Sequence, residues 1–170
     1  MLAELLDSPR DPLAELSEVI DGMQVEDLRF GSGLGPRLKA LHRAVNRLQA
    51  EAARTLEAFD RTNAYEVDGS LSAASWLRHR CNISYNTASN QVQLARRLPE
   101  LPQAQAAYAS GDISSTHVSL LARTVDQVGI EPVREQEEVL VEAARQLDPR
   151  MFRQVTVHLR HCVDPDGTDF

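Results

Sequence analysis

Apolar residues recur at steps of three and four along most of this chain, and nothing alternates with period two for long enough to be a confident strand. The longest such segment runs from about Pro36 to Arg61 and indicates one long helix. Its apolar stripe comprises Leu38, Leu41, Val45, Leu48, Ala52, Leu56 and Phe59. We expect this stripe to lie mostly in the core, although a helix of this length can also pair with a second copy. The pattern predicts an all-α fold.

Helix-start and helix-stop residues divide the chain into seven or eight helices. Asp11-Pro12 and Asp148-Pro149 each combine a capping Asp with a Pro in the first turn. Further starts are expected at Ser70 or Ser72, Ser84, Ser114 or Ser115, and Glu131-Pro132, the last opening one helix to Leu147. We predict an orthogonal bundle with one long helix and a helix–turn–helix embedded at residues 70–98.

Length and composition favour one compact helical domain. A chain of 170 residues can bury a sizeable core, and 42% hydrophobic with only 5% aromatic residues is typical of helix packed on helix. We assign residues 1–35 to an N-terminal helix and Gly-rich loop, residues 36–163 to the helical domain, and residues 164–170 to a polar tail. With no signal peptide and no apolar run of membrane length, we expect a cytoplasmic protein without membrane contact.

Metal and cofactor chemistry find little support in the sequence. Cys81 and Cys162 lie far apart, so we interpret them as reduced, unligated thiols. His158 and His161 have a spacing that can share a metal, but no third ligand accompanies them. We therefore predict no metal, no cofactor and no catalytic residue in this chain.

An acid-free segment runs from Gly69 to Pro99 in a chain whose net charge is −7. Its charged side chains are four arginines, which are Arg78, Arg80, Arg96 and Arg97. A local basic surface on an acidic protein suits contact with nucleic-acid phosphates. We predict that Arg78, Arg80 and Arg96 contact the phosphates of duplex DNA.

The helix that begins after Ser84 carries a polar row opposite its apolar face. Asn86, Asn90, Gln93 and Arg97 recur at steps of four, three and four. Asn and Gln can pair with adenine and Arg with guanine, so this row is predicted to lie nearest the bases. Tyr85, Thr87 and Ser89 on the same helix can bond phosphates. Because Asn and Gln are also ordinary solvent-facing residues, a protein-interaction or dimerisation module through residues 36–61 is the alternative.

Motifs in a fixed order resemble a bacterial family, the domain of unknown function 222, also called the 13E12 repeat family. The similarity covers roughly residues 38–167. It is carried by Ala74-x-Trp76-Leu77, Ile83-Ser84-x-x-x-Ala88, Leu94-Ala95-Arg96-x-Leu98-Pro99-x-Leu101-Pro102, Ala107-x-x-x-Gly111-x-Ile113-Ser114-x-x-His117, Leu147-Asp148-Pro149 and Asp164-Pro165-x-Gly167.

That family's domain usually precedes an HNH endonuclease module with paired Cys-x-x-Cys elements and a His-rich hairpin. The sequence up to Phe170 contains none of those elements. The resemblance therefore implies a non-catalytic targeting domain of an HNH endonuclease-like protein.

A second, narrower resemblance covers residues 77–124, whose layout is similar to the DNA-binding region of ParB-type partition proteins. It implies that Ser84, Tyr85, Asn86, Thr87, Ser89 and Asn90 lie at the DNA face. This chain departs from the pattern at Tyr85 and Asn86, where such helices are often basic.

Overall fold

A computed structural model describes residues 11–23 and 33–164, and these form nine α-helices and two short 3-10 helices with no strand. The α-helices are α1 (Pro12–Asp21), α2 (Leu34–Arg61), α3 (Ala73–Arg80), α4 (Tyr85–Arg97), α5 (Pro102–Ala109), α6 (Ser115–Val128), α7 (Ile130–Glu135), α8 (Glu137–Gln146) and α9 (Pro149–Val163). The 3-10 helices are Ala64–Asp68 and Leu98–Glu100. The all-α prediction is confirmed. The chain divides into two units, Met1–Leu38 and Lys39–Phe170.

Several helices begin at the capping residues that the sequence predicted. The Asp11 carboxylate accepts from the Leu13 amide at 3.0 Å, and Asp148 accepts from the Arg150 amide at 2.8 Å. Ser72 rather than Ser70 caps α3, and Ser114 rather than Ser115 caps α6. Each cap satisfies an amide that the helix itself leaves unpaired.

The helix predicted from Glu131 to Leu147 is instead two helices, α7 and α8, interrupted at Gln136. The next residue, Glu137, is only 2% exposed although it is charged. Its carboxylate accepts from the amides of Gln103 and Ala104 at the start of α5, at 2.8 and 2.9 Å. This contact joins residues more than thirty positions apart, so local periodicity could not reveal it.

Two groups of buried side chains form the core of the second unit. The larger one joins α5, α6, α8 and α9 with residues of α2, α4 and α7, and its large, fully buried residues include Tyr108, Phe152 and Leu121. The smaller one holds α3 and α4 together, and its buried members are Leu56, Ala73, Ala74, Ala88, Val92 and Ala95. The small alanines let these two helices approach closely.

The predicted core position of the α2 stripe is wrong for the first half of that helix. Leu38, Leu41, Val45 and Leu48 are 58%, 37%, 48% and 42% exposed, whereas Leu56 is buried. Within the second unit, a different side of α2 contacts the other helices. Arg43 Nε donates to the Ser110 carbonyl at 2.9 Å, and Ala50 and Ala53 are buried. Alanines contribute little to a hydrophobicity pattern, so the larger apolar residues dominated the prediction and the side of α2 that carries Ala50 and Ala53 was not recognised as the packed one.

His117 is a buried titratable group with both ring nitrogens engaged. Nε2 lies 3.0 Å from the Leu147 carbonyl, which requires a hydrogen on Nε2. Nδ1 then accepts from the Ser114 amide at 3.2 Å in a capping box at the start of α6. Burial lowers the pKa of His117 below its usual 6.5, against the opposing effects of Leu147 and Asp148. Protonation would add a hydrogen to Nδ1, which could then no longer accept from the Ser114 amide.

We therefore expect acid to destabilise the fold through His117. Because the folded-state pKa is lowered, the unfolded chain binds more protons below pH 6.5, so stability falls from about that pH downward. Thermal melts of His117→Gln should show lower stability at neutral pH and a smaller loss between about pH 7.5 and 5.5 than the wild type. The exposed His79→Gln is the control. An unchanged pH dependence in His117→Gln would contradict this assignment.

Candidate nucleic-acid interface

The four residues 81–84 join α3 to α4, and their local conformation determines how the two helices pack. Asn82 adopts a left-handed conformation with φ 54°, which Asn tolerates better than most residues. The Ser84 hydroxyl caps α4 by accepting from the Thr87 amide at 3.0 Å. Ala88 and Ala73 are both fully buried where the helices pack. The turn and the small residues therefore fix which side of α4 faces outward.

The first half of α4 is an exposed polar surface. Tyr85 is 54% exposed, and Asn86, Thr87, Ser89 and Asn90 are also exposed. Within the described part of the chain, none of these five side chains bonds to a carboxylate. Thr87 pairs with the Ser84 hydroxyl at 2.8 Å. These are the positions that the sequence predicted for DNA contact, and they lie together.

The second half of α4 differs, because acidic residues from other helices engage it. Gln93 Nε2 donates to the Asp126 carboxylate of α6, and Arg97 bonds the same group at 2.7 and 2.8 Å. Arg97 also pairs with Glu100 at 3.2 Å. Hydrogen bonding to Asp126 raises the pKa of Arg97 above its usual value, more than desolvation lowers it. Gln93 and Arg97 are therefore occupied within the fold.

Arg96 makes a two-pronged pair with Asp60 of α2, with Nε and Nη2 at 2.6 and 3.0 Å from its two oxygens. Hydrogen bonding to Asp60 raises the pKa of Arg96. A cavity of about 660 Å³ beside Arg96 is lined by Tyr85 and Ser89 but also by the carboxylates Asp60, Glu100 and Asp126. This side of α4 is therefore acidic as well as basic.

The two arginines at the end of α3 have different surroundings. Arg80 lies 3.5 Å from Asp68, whose carboxylate also accepts from Trp76 Nε1 at 2.6 Å. Arg78 is exposed and has no ion-pair partner among the residues that the structure describes. Residues 69–99 contain no acidic residue, but the fold brings carboxylates from other parts of the chain into contact with them. The basic surface predicted from residues 69–99 is therefore wrong for Arg80, Arg96 and Arg97, because each of them pairs with a carboxylate from outside that segment.

A second basic cluster was missed by the sequence reasoning. Lys39, His42, Arg43 and Arg145 line a cavity of about 420 Å³ next to Gly111 and Asp112. Asp112 neutralises part of this cluster, because it pairs with Arg43 at 2.9 Å. A signal was present in the sequence, since residues 28–50 contain five Lys or Arg and no acid.

Neither a metal cluster nor a membrane span is found over residues 11–23 and 33–164. No three His, Cys, Asp or Glu side chains there are grouped as metal ligands, and His158 Nε2 simply lies 3.6 Å from Cys162 Sγ. No helix in those residues is long and apolar enough to cross a membrane.

Comparison with known proteins identifies the family of this chain. No curated protein and no solved structure gave a match. The family model described as "Domain of unknown function (DUF222)" matches residues 37–169, which include α3, α4 and every ion pair described above. The chain therefore belongs to the domain of unknown function 222 family.

Proposed function

We propose that this domain binds duplex DNA through the first half of α4 and the end of α3. One observation carries the proposal: five polar side chains at the start of a capped helix are exposed together and bond to no carboxylate in the described chain. A helix that enters the major groove by its N-terminal end presents these residues first. Apart from the Thr87 amide, which Ser84 caps, the first amides of α4 have no partner within the helix and can donate to phosphate oxygens.

The side chains divide into two groups by their expected contacts. Arg78 approaches phosphates, together with the hydroxyls of Tyr85, Thr87 and Ser89, and Arg80 does so by leaving its 3.5 Å contact with Asp68. Asn86 and Asn90 face base edges, where each can pair with adenine. A third group, which consists of Gln93, Arg96 and Arg97, contributes only after exchanging its carboxylate partners for DNA.

A second part of the proposal concerns the role of the domain in a larger protein, and the family resemblance supports it. We propose a non-catalytic targeting function that positions an HNH nuclease module, with no chemistry by the residues described above. The layout of residues 77–124, which resembles that of ParB-type regions, also favours α4 as the helix that contacts DNA.

Self-association is the second candidate function, and a specific observation favours it. The first half of α2 exposes four large apolar side chains in one stripe, which are Leu38, Leu41, Val45 and Leu48. Such a surface typically marks a protein interface. The two functions can be tested separately, because these four residues belong to α2 and the proposed DNA contacts belong to α3 and α4.

The DNA-binding proposal predicts opposite effects for two variants. We expect Arg78→Ala/Arg80→Ala to weaken duplex binding by about 10- to 100-fold at low salt, because two phosphate contacts are lost. We expect Asp126→Asn to strengthen binding by about 3- to 10-fold, because it removes a negative charge and releases Gln93 and Arg97. Fluorescence anisotropy with a labelled duplex measures both.

A matched control uses two exposed arginines elsewhere. Arg150→Ala/Arg153→Ala on α9 removes the same charge and should change affinity by less than about twofold. Circular dichroism checks that each variant is folded. Equal losses for the α3 and α9 pairs would show that only net charge matters, and would refute the assigned surface.

A further inference from the structure

The exposed apolar stripe on α2 has the spacing of a coiled-coil seam. Its members alternate at steps of four and three, like the a and d positions of successive heptads. They are Leu34, Leu38, Leu41, Val45, Leu48 and Ala52. All six are exposed, and the five large ones range from 37% to 58% exposure. Nineteen helical residues span about 27 Å, which is enough for six layers of side chains.

This stripe is separate from the side of α2 that packs within the fold. Arg43 and Asn46 bond to the Ser110 and Gly111 carbonyls at 2.9 and 3.3 Å, and Ala50 and Ala53 are buried. On a helix these positions lie more than 90° from the stripe. The first half of α2 is therefore held by one side while its larger apolar side chains face solvent.

We propose that a second copy of this chain covers the stripe, forming an antiparallel two-stranded coiled coil centred at Arg43. This inference deepens the self-association candidate above and does not depend on DNA binding. In this register Leu38 packs against the partner's Leu48, and Leu41 against the partner's Val45. Leu34 meets the partner's Ala52. Every layer then pairs an a position with a d position, and the interface is self-complementary as a two-fold dimer requires.

Charge complementarity selects the antiparallel direction. In an antiparallel coiled coil, the g positions of one helix face the g positions of the other. Arg37 and Glu51 are both g positions, so Arg37 lies opposite the partner's Glu51, and the two-fold symmetry repeats this pair. Arg37 and Glu51 each also have a partner within their own chain, which is Arg54 in the case of Glu51. A guanidinium with five donors and a carboxylate with two oxygens can each serve a second partner. A parallel pair would instead place Arg37 opposite the partner's His42 and Ala44 opposite the partner's Gln49. That arrangement contains no pair of opposite charges.

The oligomeric state tests the proposal. We expect analytical ultracentrifugation of the wild type to show a monomer–dimer equilibrium. The Leu41→Glu/Val45→Glu variant should weaken the dimer by at least about 100-fold, because four buried carboxylates would face each other. Both positions are exposed in the single chain, so its melting temperature at high dilution should change little. The matched control is Val139→Glu, an exposed valine on α8, which should leave the dimer unchanged.

Disulfide trapping tests the direction of the helices. Leu38→Cys and Leu48→Cys would be prepared separately with Cys81→Ser/Cys162→Ser, one of them carrying a size tag, and then mixed and oxidised. A disulfide requires Cα atoms within roughly 7 Å. Antiparallel pairing predicts a bond between the two different variants, whereas parallel pairing predicts bonds between identical variants. A monomeric wild type, a dimer that survives Leu41→Glu/Val45→Glu, or trapping of identical variants would each overturn the proposal.

These outcomes are distinguishable from those of the DNA-binding test. A monomer that still binds DNA through Arg78 and Arg80 would overturn the dimer alone. A dimer that does not bind duplex DNA would overturn the DNA-binding proposal alone.

Discussion

Replacing Glu137 with alanine is expected to destabilise the domain by about 3–5 kcal/mol. The side chain is 2% exposed and accepts from two amides at the start of α5. Alanine would leave the Gln103 and Ala104 amides unsatisfied, would remove a negative charge from a helix N-terminus, and would open a cavity. We expect the urea midpoint to fall accordingly, because α5 and α8 would lose their polar connection.

Two further variants show whether this effect belongs to the contact itself. Glu137→Gln keeps the shape and one acceptor oxygen, so its loss should be smaller, at about 1–3 kcal/mol. Glu138→Ala removes an exposed carboxylate one residue away and should stay within about 0.5 kcal/mol. A Glu137→Ala variant as stable as Glu138→Ala would contradict the buried capping role.

Gly111→Ala is expected to cost about 2–5 kcal/mol, because backbone strain and a steric clash act together. Gly111 has φ +80°, and a Cβ there would lie 2.6 Å from the Arg43 carbonyl oxygen and 2.7 Å from Arg43 Cγ. Since the Arg43 backbone belongs to α2, relieving the clash requires α2 to move. The variant should therefore loosen the contact of α2 with the α5–α6 connection. Hydrogen exchange should become faster in the first half of α2.

Another glycine separates the strain from the clash. Gly69 has φ +71° with no atom within 4 Å of an added Cβ, so Gly69→Ala measures the conformational cost alone, about 1–2 kcal/mol. The difference between the two variants in urea denaturation is then the cost of the clash. Equal losses would mean that α2 does not lie close against Gly111.

The helices were predictable because their start signals are local. Ser72, Ser84, Ser114 and Asp148 each bond an amide two or three residues away, and a sequence displays such pairs directly. The α7–α8 interruption was not predictable, because it accompanies a contact between Glu137 and residues 33 and 34 positions earlier.

The candidate interface was predictable in its first half only. Helical periodicity puts Ala88 and Val92 on the apolar side of α4 and Asn86 and Asn90 on the other side. The structure shows the first two buried and the last two exposed. The partners of Arg96 and Arg97 could not be predicted, since Asp60 and Asp126 lie 36 and 29 residues away along the chain. Counting charges along a segment does not locate the charges that the fold brings to it.

We propose above all that the exposed polar surface on α4, with Arg78 and Arg80, binds the DNA backbone and bases. A fluorescence-anisotropy titration of the wild type against a random duplex, at about 50 and 200 mM salt, tests it most directly. If about three phosphates are neutralised, affinity should fall by about 40-fold between those conditions. No binding at the lower salt concentration, or an affinity that salt does not change, would contradict the account.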